Sequence, residues 1–435
     1  MTPPLIGFAG MTHLGLVSAV AAAEKGFGVV GFDPDAALIA ALARRELPVS
    51  EPQLDDLVAK NSRRLSFTEN ANDLAPCGVV YAAPDVPTDD EGVSDLDPIS
   101  SLLDAVFEAA RDDAVIVVLS QVPPGFIRSR QRPGRILYYQ VETLVFGRAV
   151  ERALFPERYI VGCADPAQPL PAPYAAFLAA HGCPVLPMRY ESAELAKISI
   201  NMCLVASVTT ANMLAELCEQ IGADWSEIVP ALKLDKRIGQ HAYLAPGLGI
   251  AGGNLERDLA TVCNFADRYG TDADVVRAWI ANSRHRHDWA ARIIRAELLD
   301  AQPSAIVAVW GLSYKENTRS VKNSPSLATI AQLPDARLRL HDPMVPSSVA
   351  RHPNAEGVSD ALAAASGADA LMILTPWPQY RTIPPAEIAK ALRGHIVLDP
   401  YGVLDHRAAA AAGLDVFALG KPPMRAQHRQ LCSNT

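Results

Sequence analysis

Several features that would fix a function class at once are missing from this 435-residue sequence. Its seven cysteines (Cys77, Cys163, Cys183, Cys203, Cys218, Cys263 and Cys432) form no CxxC and no His/Cys ligand spacing, so no metal centre is expected. An odd, dispersed set without a signal peptide fits a reducing cytoplasm, and several members read as small core residues. Basic charge is not in excess: 39 Lys and Arg face 48 Asp and Glu, and the net charge of −9 argues against nucleic acid as the main partner. No apolar run reaches the roughly 18 residues of a membrane span, so no membrane partner is expected either. The 34 prolines scatter over loops without forming a tract. A hydrophobic content of 49% with 20% charge leaves an ordinary globular chain, long enough for two or three domains.

What is present is organised around Pro246 to Asp258, which holds five glycines or prolines in eight residues and then the charged Glu256-Arg257-Asp258. Such glycine density lets a backbone approach a ligand, and the charged end reads as a helix opening with Asp258 in its first turns. An interdomain loop is the plainer alternative. On either side lie two similar α/β lobes.

The first lobe opens with the apolar run Leu5 to Ala9. Gly10-Met11-Thr12-His13-Leu14-Gly15 follows, then a small-residue helix from Leu16 to Lys25, then Gly28 to Phe32 ending at Asp33. Strand, glycine turn, helix, strand and acid occur in the order of a dinucleotide fingerprint, in which the helix amino terminus takes the pyrophosphate and the acid takes a ribose. Asp33 favours NAD over NADP. Thr12 replaces the middle glycine, so a weakened or lost cofactor site is the alternative. Two further strands, Gly78 to Ala83 and Ala114 to Leu119, run into proline-rich turns where a parallel sheet binds ligands. Arg158 to Gly162 is expected to close this sheet, and Thr88 to Asp97 to be a solvated loop.

Ser192 to Gly222 contains no proline and keeps one helical pattern, a helix of roughly 45 Å at 1.5 Å per residue. Lys197 and Asn201 are four apart and share a face. Asp272 to Leu299 reads as a second helix, with Arg284-His285-Arg286-His287 as a solvated face. A second parallel sheet is expected from Ala305 to Gly311, Arg337 to Leu340, Ala368 to Leu374 and Ile396 to Leu398. The tail after Leu419 is polar and expected to be mobile.

In this order the motifs resemble the UDP-glucose/GDP-mannose dehydrogenase family over essentially the whole chain. The resemblance rests on Glu51-Pro52, Pro123-Pro124-Gly125, Phe155-Pro156-Glu157-Arg158 and Ala193-Glu194-Leu195-Ala196-Lys197 with Asn201. It continues through Ala215-Glu216-Leu217-Cys218-Glu219, Arg237-Ile238-Gly239, Pro246-Gly247, Asp258, Gly311-Leu312, Tyr314-Lys315 and Ala368-Asp369-Ala370 with Trp377-Pro378. It implies two Rossmann-like lobes joined by a long dimerising helix, with an NAD domain over 1–188, a central helical domain over 189–300 and a sugar-nucleotide domain over 301–435. It also implies oxidation of a sugar-nucleotide primary alcohol to an acid with two NAD, through a cysteine thioester, in polysaccharide or glycoconjugate biosynthesis. At least a homodimer is expected.

At the cysteine position of the family's glycine stretch this chain has Asn254, and its Pro-Lys becomes Glu256-Arg257. A carboxamide has no thiolate-like form and cannot make a thiohemiacetal. Cys263 lies five positions beyond Asp258, roughly 140° around a helix axis, and does not replace it. Glu142 is kept, but the Arg-Glu that follows it in the family is lost, the cofactor-loop threonines become Val86 and Gln121, and a substrate arginine becomes Tyr401. The resemblance assigns catalysis to Glu142, Lys197, Asn201, Asn254 and Asp258. It assigns cofactor binding to Gly10, Thr12, His13, Leu14, Gly15, Asp33, Val86, Gln121 and Lys322. Substrate binding falls to Leu144, Lys197, Asn201, Arg237, Tyr243, Gly249 and Lys315. The leading expectation is a two-electron NAD-dependent oxidoreductase on a sugar nucleotide. The alternatives are full oxidation without a covalent intermediate, a silent binding homologue and a transient-oxidation epimerase.

Overall fold

Apolar runs of three to five residues make most of the strands. Ile6–Ala9 (β1), Val29–Phe32 (β2), Leu65–Thr68 (β3), Val79–Ala82 (β4), Val115–Val118 (β5), Ile136–Gln140 (β6), Tyr159–Cys163 (β7) and Val185–Arg189 (β8) form the first sheet of this computed structural model. The structure describes residues 3–87, 89, 93–251 and 253–426. It divides into two units, Met1–Ile200 and Asn201–Thr435.

The first sheet has the order β3-β2-β1-β4-β5-β6-β7-β8, parallel except between β6 and β7. β1, β2, β4 and β5 are buried along their whole length, as parallel strands covered on both faces must be. Their side chains alternate between two cores: Phe8, Tyr81 and Val117 enter one, while Ala9, Val80 and Ile116 enter the other. The helix His13–Glu24 after β1 has small or aliphatic residues on all sides, and all but Ser18 and Glu24 are buried.

In the second unit Ile306–Trp310 (β9), Arg337–His341 (β10), Ala355–Gly357 (β11), Ala370–Ile373 (β12), Ile396–Leu398 (β13) and Asp415–Phe417 (β14) form a wholly parallel sheet. Its order, β11-β10-β9-β12-β13-β14, repeats that of the first six strands. The expected α/β fold of two doubly wound, Rossmann-like sheets and a long helix is borne out. That helix spans Tyr190–Ile221, and the division between the units falls inside it. Both lobes use one device at the first turn. Gly10 (φ +92°) and Gly311 (φ +95°) reverse the chain, and an acid at the end of the second strand pins the next amide. Asp33 accepts from Met11 N at 2.7 Å and Asp342 from Leu312 N at 2.7 Å.

Several expectations are corrected. Tyr159–Cys163 does not close the first sheet, because β8 pairs outside it. β8 is a mostly exposed edge with Pro187 in it, so it carries little apolar signal. The second helix is not continuous: Asp274–His287 ends at Asp288, Trp289–Ile294 follows, and a π-helical turn covers Arg295–Leu299. Asp97 is not loop but opens the helix Asp97–Ala109, while Thr88 and residues 90–92 lie outside the described residues. The tail is held as far as Ala426, with Arg425 paired to Glu297 (2.8 Å) and Asp415 (3.2 Å); residues 427–435 lie outside the described residues. By length and composition the long helix does meet the measure of a membrane span, with an 18-residue window of mean hydropathy 1.5. Its polar side chains make specific bonds inside the fold: Glu194 holds two backbone amides in the first unit and Asn212 holds one in the second.

Candidate active site

The glycine stretch is an irregular loop fixed from several directions within the second unit. Gly247 N donates to Asn212 Oδ1 at 2.7 Å, and Ile250 N donates to Ser283 Oγ at 2.8 Å. His287 Nε2 lies 3.2 Å from the Ile250 carbonyl, and the Tyr401 hydroxyl is hydrogen-bonded to the Leu248 backbone. Burial pushes His287 below the usual imidazole range, so its neutral ring donates Nε2–H to that carbonyl. Gly249 has φ +93°, and a Cβ there would strike the His287 ring and the Ser283 carbonyl. Both facts restrict the position to glycine. The expected solvated face of Arg284 to His287 is thus corrected. Arg284 and His285 are exposed, whereas Arg286 is fully buried between Glu216 and Glu219 (3.2 and 3.5 Å) and His287 clamps the loop. Gly252 lies outside the described residues.

A helix, Asn254–Tyr269, starts directly after the loop, with Gly253 as its cap. It begins four residues earlier than a start at Asp258 would place it. Asn254 is exposed at its first position, and Asp258 is buried one turn further on. Asn201 Nδ2 donates to Asp258 Oδ2 at 2.5 Å, and Arg257 Nε lies 3.4 Å from Asp258 Oδ1. Cys263 is nine positions beyond Asn254, about 180° around the axis. It packs against the apolar cluster that includes Leu259 and Val205, and burial pushes its thiol up, away from the reactive thiolate. Lys322 lays its stem against Gly253. Glu256 is bonded to Asn323, and burial holds its carboxyl above the usual range against the opposing pull of Lys322.

In the first unit Lys197 Nζ lies 2.8 Å from Glu142 Oε1, with both side chains largely buried. Glu142 Oε2 accepts from Leu144 N at 2.9 Å, and Leu144 packs on the first core. Glu142 and Leu144 also line a cavity of about 50 Å³ with Tyr81, Gln140 and Arg152, enough for one or two waters. Glu194, three residues before Lys197, is fully buried and accepts from Gly125 N (2.7 Å) and Ile127 N (2.8 Å). It ties the Pro123-Pro124-Gly125 turn to the long helix.

The dinucleotide turn has the conformation its spacing predicts. A Cβ on Gly10 would come 2.7 Å from Pro84 N, and one on Gly15 would overlap the Gly10 carbonyl. Thr12 caps the helix position without a side-chain bond to it. Leu14 and Gly15 are buried in its first turn, and Asp33 closes β2. His13 is buried too, bonded to Glu51 through Nε2 at 2.9 Å and stacked on Phe146. Glu51 also accepts from Gly147 N (2.9 Å) and Ala149 N (3.2 Å), which fixes the loop after β6 against this turn. Val86 and Gln121 sit half-buried after β4 and β5. A glycine-formed turn, uncapped helix amides and an acid at the end of β2 fit a dinucleotide. One contact departs from that fit: Asp85 Oδ2 accepts from His13 N at 3.2 Å.

The remaining expected substrate residues lie in the second unit. Lys315 is half-buried with its ammonium over the Tyr314 ring. Arg237 is exposed and paired with Asp235 at 2.6 Å, and Tyr243 is exposed. The sequence did not single out Asp85, Asn212, Ser283 or His287. Ser283 and His287 stand four apart on one helix, which was the available signal.

Twin lobes of this strand order, with a dinucleotide turn in the first, define an NAD-binding α/β oxidoreductase. Comparison with known proteins narrows this. Residues 5–169 match the NAD binding domain of the UDP-glucose/GDP-mannose dehydrogenase family, residues 191–284 its central domain and residues 308–406 its UDP binding domain. The chain belongs to the UDP-glucose/GDP-mannose dehydrogenase family. It is 29% identical to a UDP-glucose 6-dehydrogenase of Pseudomonas aeruginosa, over 96% of this chain and 97% of that protein. It is 28% identical to UDP-glucose 6-dehydrogenase TuaD of Bacillus subtilis, over 97% and 94%. A solved UDP-glucose dehydrogenase from Pyrobaculum islandicum matches with a TM-score of 0.79 at 27% identity, covering 91% of this chain and 94% of that one. A UDP-D-ManNAc dehydrogenase structure from Pyrococcus horikoshii shares the fold, with a TM-score of 0.82 at 21% identity over 96% and 99%.

Proposed function

We propose that this protein carries out a single two-electron alcohol/carbonyl interconversion on a UDP-sugar with NAD. The observation that carries the reading is Asn254. It stands exposed at the head of its helix, and the helix's one cysteine is half-buried on the opposite side. NAD, when bound, accepts or returns the hydride. The turn Gly10 to Gly15 and Asp33 would hold it. Lys197 Nζ is the positive group for a developing alkoxide, and Glu142, 2.8 Å away, is the base for the departing proton. In the second unit, Asn254 offers an amide donor where the family has its cysteine. Without a thiolate no covalent adduct retains the aldehyde, and it leaves.

The UDP class of substrate is supported by the matched UDP binding domain and by the relatives' names. We keep 1–188, 189–300 and 301–435 as the working domains. A homodimer, or a higher homo-oligomer, is supported by Met213, Leu217 and Ile221, which leave an apolar stripe exposed at four-residue spacing on the long helix. Exposed Arg237 then serves a neighbouring subunit's substrate. The expected setting is the cytoplasm.

A second reading has a specific observation in its favour. The cavity beside Glu142, about 50 Å³, is large enough for a water, and a water there would add to the aldehyde and allow full oxidation without an adduct. One assay separates the readings: incubation with NAD and a panel of UDP-sugars, following NADH and product mass. One NADH per aldehyde or ketone is expected. Two NADH per acid gives the second reading, and no turnover with measurable NAD binding gives a binding protein.

A further inference from the structure

The amino end of the helix after β1 already holds a negative charge. Asp85, at the carboxyl end of β4, accepts a hydrogen bond from His13 N at 3.2 Å, and its own amide donates to Thr12 Oγ1 at 3.0 Å. Asp85 is 72 positions from His13 and 73 from Thr12, and the two bonds fasten it to the turn in both directions. His13 N is the first amide of the helix His13–Glu24, and no side chain within the turn caps it. This is the place where a dinucleotide's pyrophosphate receives its backbone bonds and the positive end of the helix dipole. Thr12 stands where a glycine would leave the turn bare, and its hydroxyl is what anchors the Asp85 amide.

We propose that Asp85 is the residue that sets cofactor affinity, through a carboxylate that competes with the pyrophosphate for the head of this helix. A bound dinucleotide needs the His13 amide that Asp85 now uses, and it brings a like charge against that carboxylate. Binding therefore displaces the bond and pays repulsion, which weakens affinity without changing the ribose or nicotinamide contacts. The competition is aimed at diphosphate groups alone: ADP meets it as NAD does, and adenosine does not. Asp85 is exposed, so salt screens the repulsion.

The inference rests on NAD occupying the first lobe. Its test is calorimetric binding of NAD, ADP and adenosine to the full chain and to Asp85→Ala and Asp85→Asn. Asp85→Ala is expected to tighten NAD and ADP at least tenfold and leave adenosine within twofold. Asp85→Asn keeps an acceptor for His13 N while removing the charge, so an intermediate gain is expected, and it carries the test if the alanine variant is poorly folded. Raised salt should tighten NAD binding to the parent protein relative to Asp85→Asn. Equal, measurable affinities across the three proteins, or weaker binding in the variants, overturn the proposal alone. No binding of NAD or ADP to any of them overturns it together with the cofactor reading.

Discussion

Lys197 Nζ and Glu142 Oε1 lie 2.8 Å apart, joining the long helix to the loop after β6. Neither side chain is more than about a sixth exposed: 13% for Lys197 and 15% for Glu142. The second carboxylate oxygen is held by Leu144 N, so the carboxylate is oriented as well as paired. Such a pair suits acid–base work, but it would equally suit a structural tie.

Glu142→Gln separates the two roles. The amide keeps an oxygen for Leu144 N or for Lys197 and removes only the base. We expect kcat to fall about 10²- to 10⁴-fold, the usual worth of a general base, with KM for the sugar nucleotide nearly unchanged. The check is steady-state kinetics beside thermal melting. A kcat within threefold of the parent and a melting temperature lowered by several degrees would make the pair structural.

Glu194 predicts a pH dependence of stability. Burial raises its carboxyl to about 7, against the opposing amides of Ile127 and Gly125. In the unfolded chain it returns to an ordinary value near 4.3. The folded state therefore binds more protons between these values, and stability falls as pH rises through that window. The contribution is fully present below the unfolded value and lost as pH passes about 7. At 1.36 kcal/mol per unit the whole effect is about 4 kcal/mol. Glu194→Gln cannot ionise, so urea unfolding at pH 5 and pH 8 should show the variant gaining on the parent at the higher pH. An unchanged difference, or one of opposite sign, would mean that the two amides keep the carboxylate charged.

The parts of the molecule legible in the sequence were those written locally. β1, the glycine turn and Asp33 lie within one run of residues, and their spacing alone dictates a βαβ unit. Pro246 to Asp258 announced itself through glycine, and Gly249 does occupy a backbone region that favours glycine. What stayed hidden depends on contacts between distant segments. Nothing near Asp85 shows that it meets His13, and nothing near Leu248 shows that Tyr401 will bond to it. The basic composition of Arg284 to His287 made it look like a solvated face, yet the interior takes Arg286 because Glu216 and Glu219 are there to pair with it. Edge strands such as β8 and β11 failed for another reason. They are half exposed and need few apolar residues, so the pattern that reveals β5 is absent from them.

Asn254→Cys is the sharpest test of the chemistry. A cysteine at this position would stand at the first residue of a sixteen-residue helix, where the helix amino terminus favours a thiolate. Asp258 lies four residues further along the same face, held by Asn201, so the acid and amide beside the former nucleophile position are intact. If loss of the thiol alone stops oxidation at the aldehyde, the variant should form acid, produce two NADH per substrate and show a covalent adduct by mass under limiting NAD. The parent should do none of these. Should the variant bind substrate yet make no acid, the block lies elsewhere, and Tyr401 is the place to look. Its hydroxyl is tied to the Leu248 backbone, so it both lacks an arginine's charge and fixes the loop that carries Gly249. Adding Tyr401→Arg to Asn254→Cys would then be required for acid formation, and a double variant still confined to one NADH would show that the change of function extends past the glycine loop.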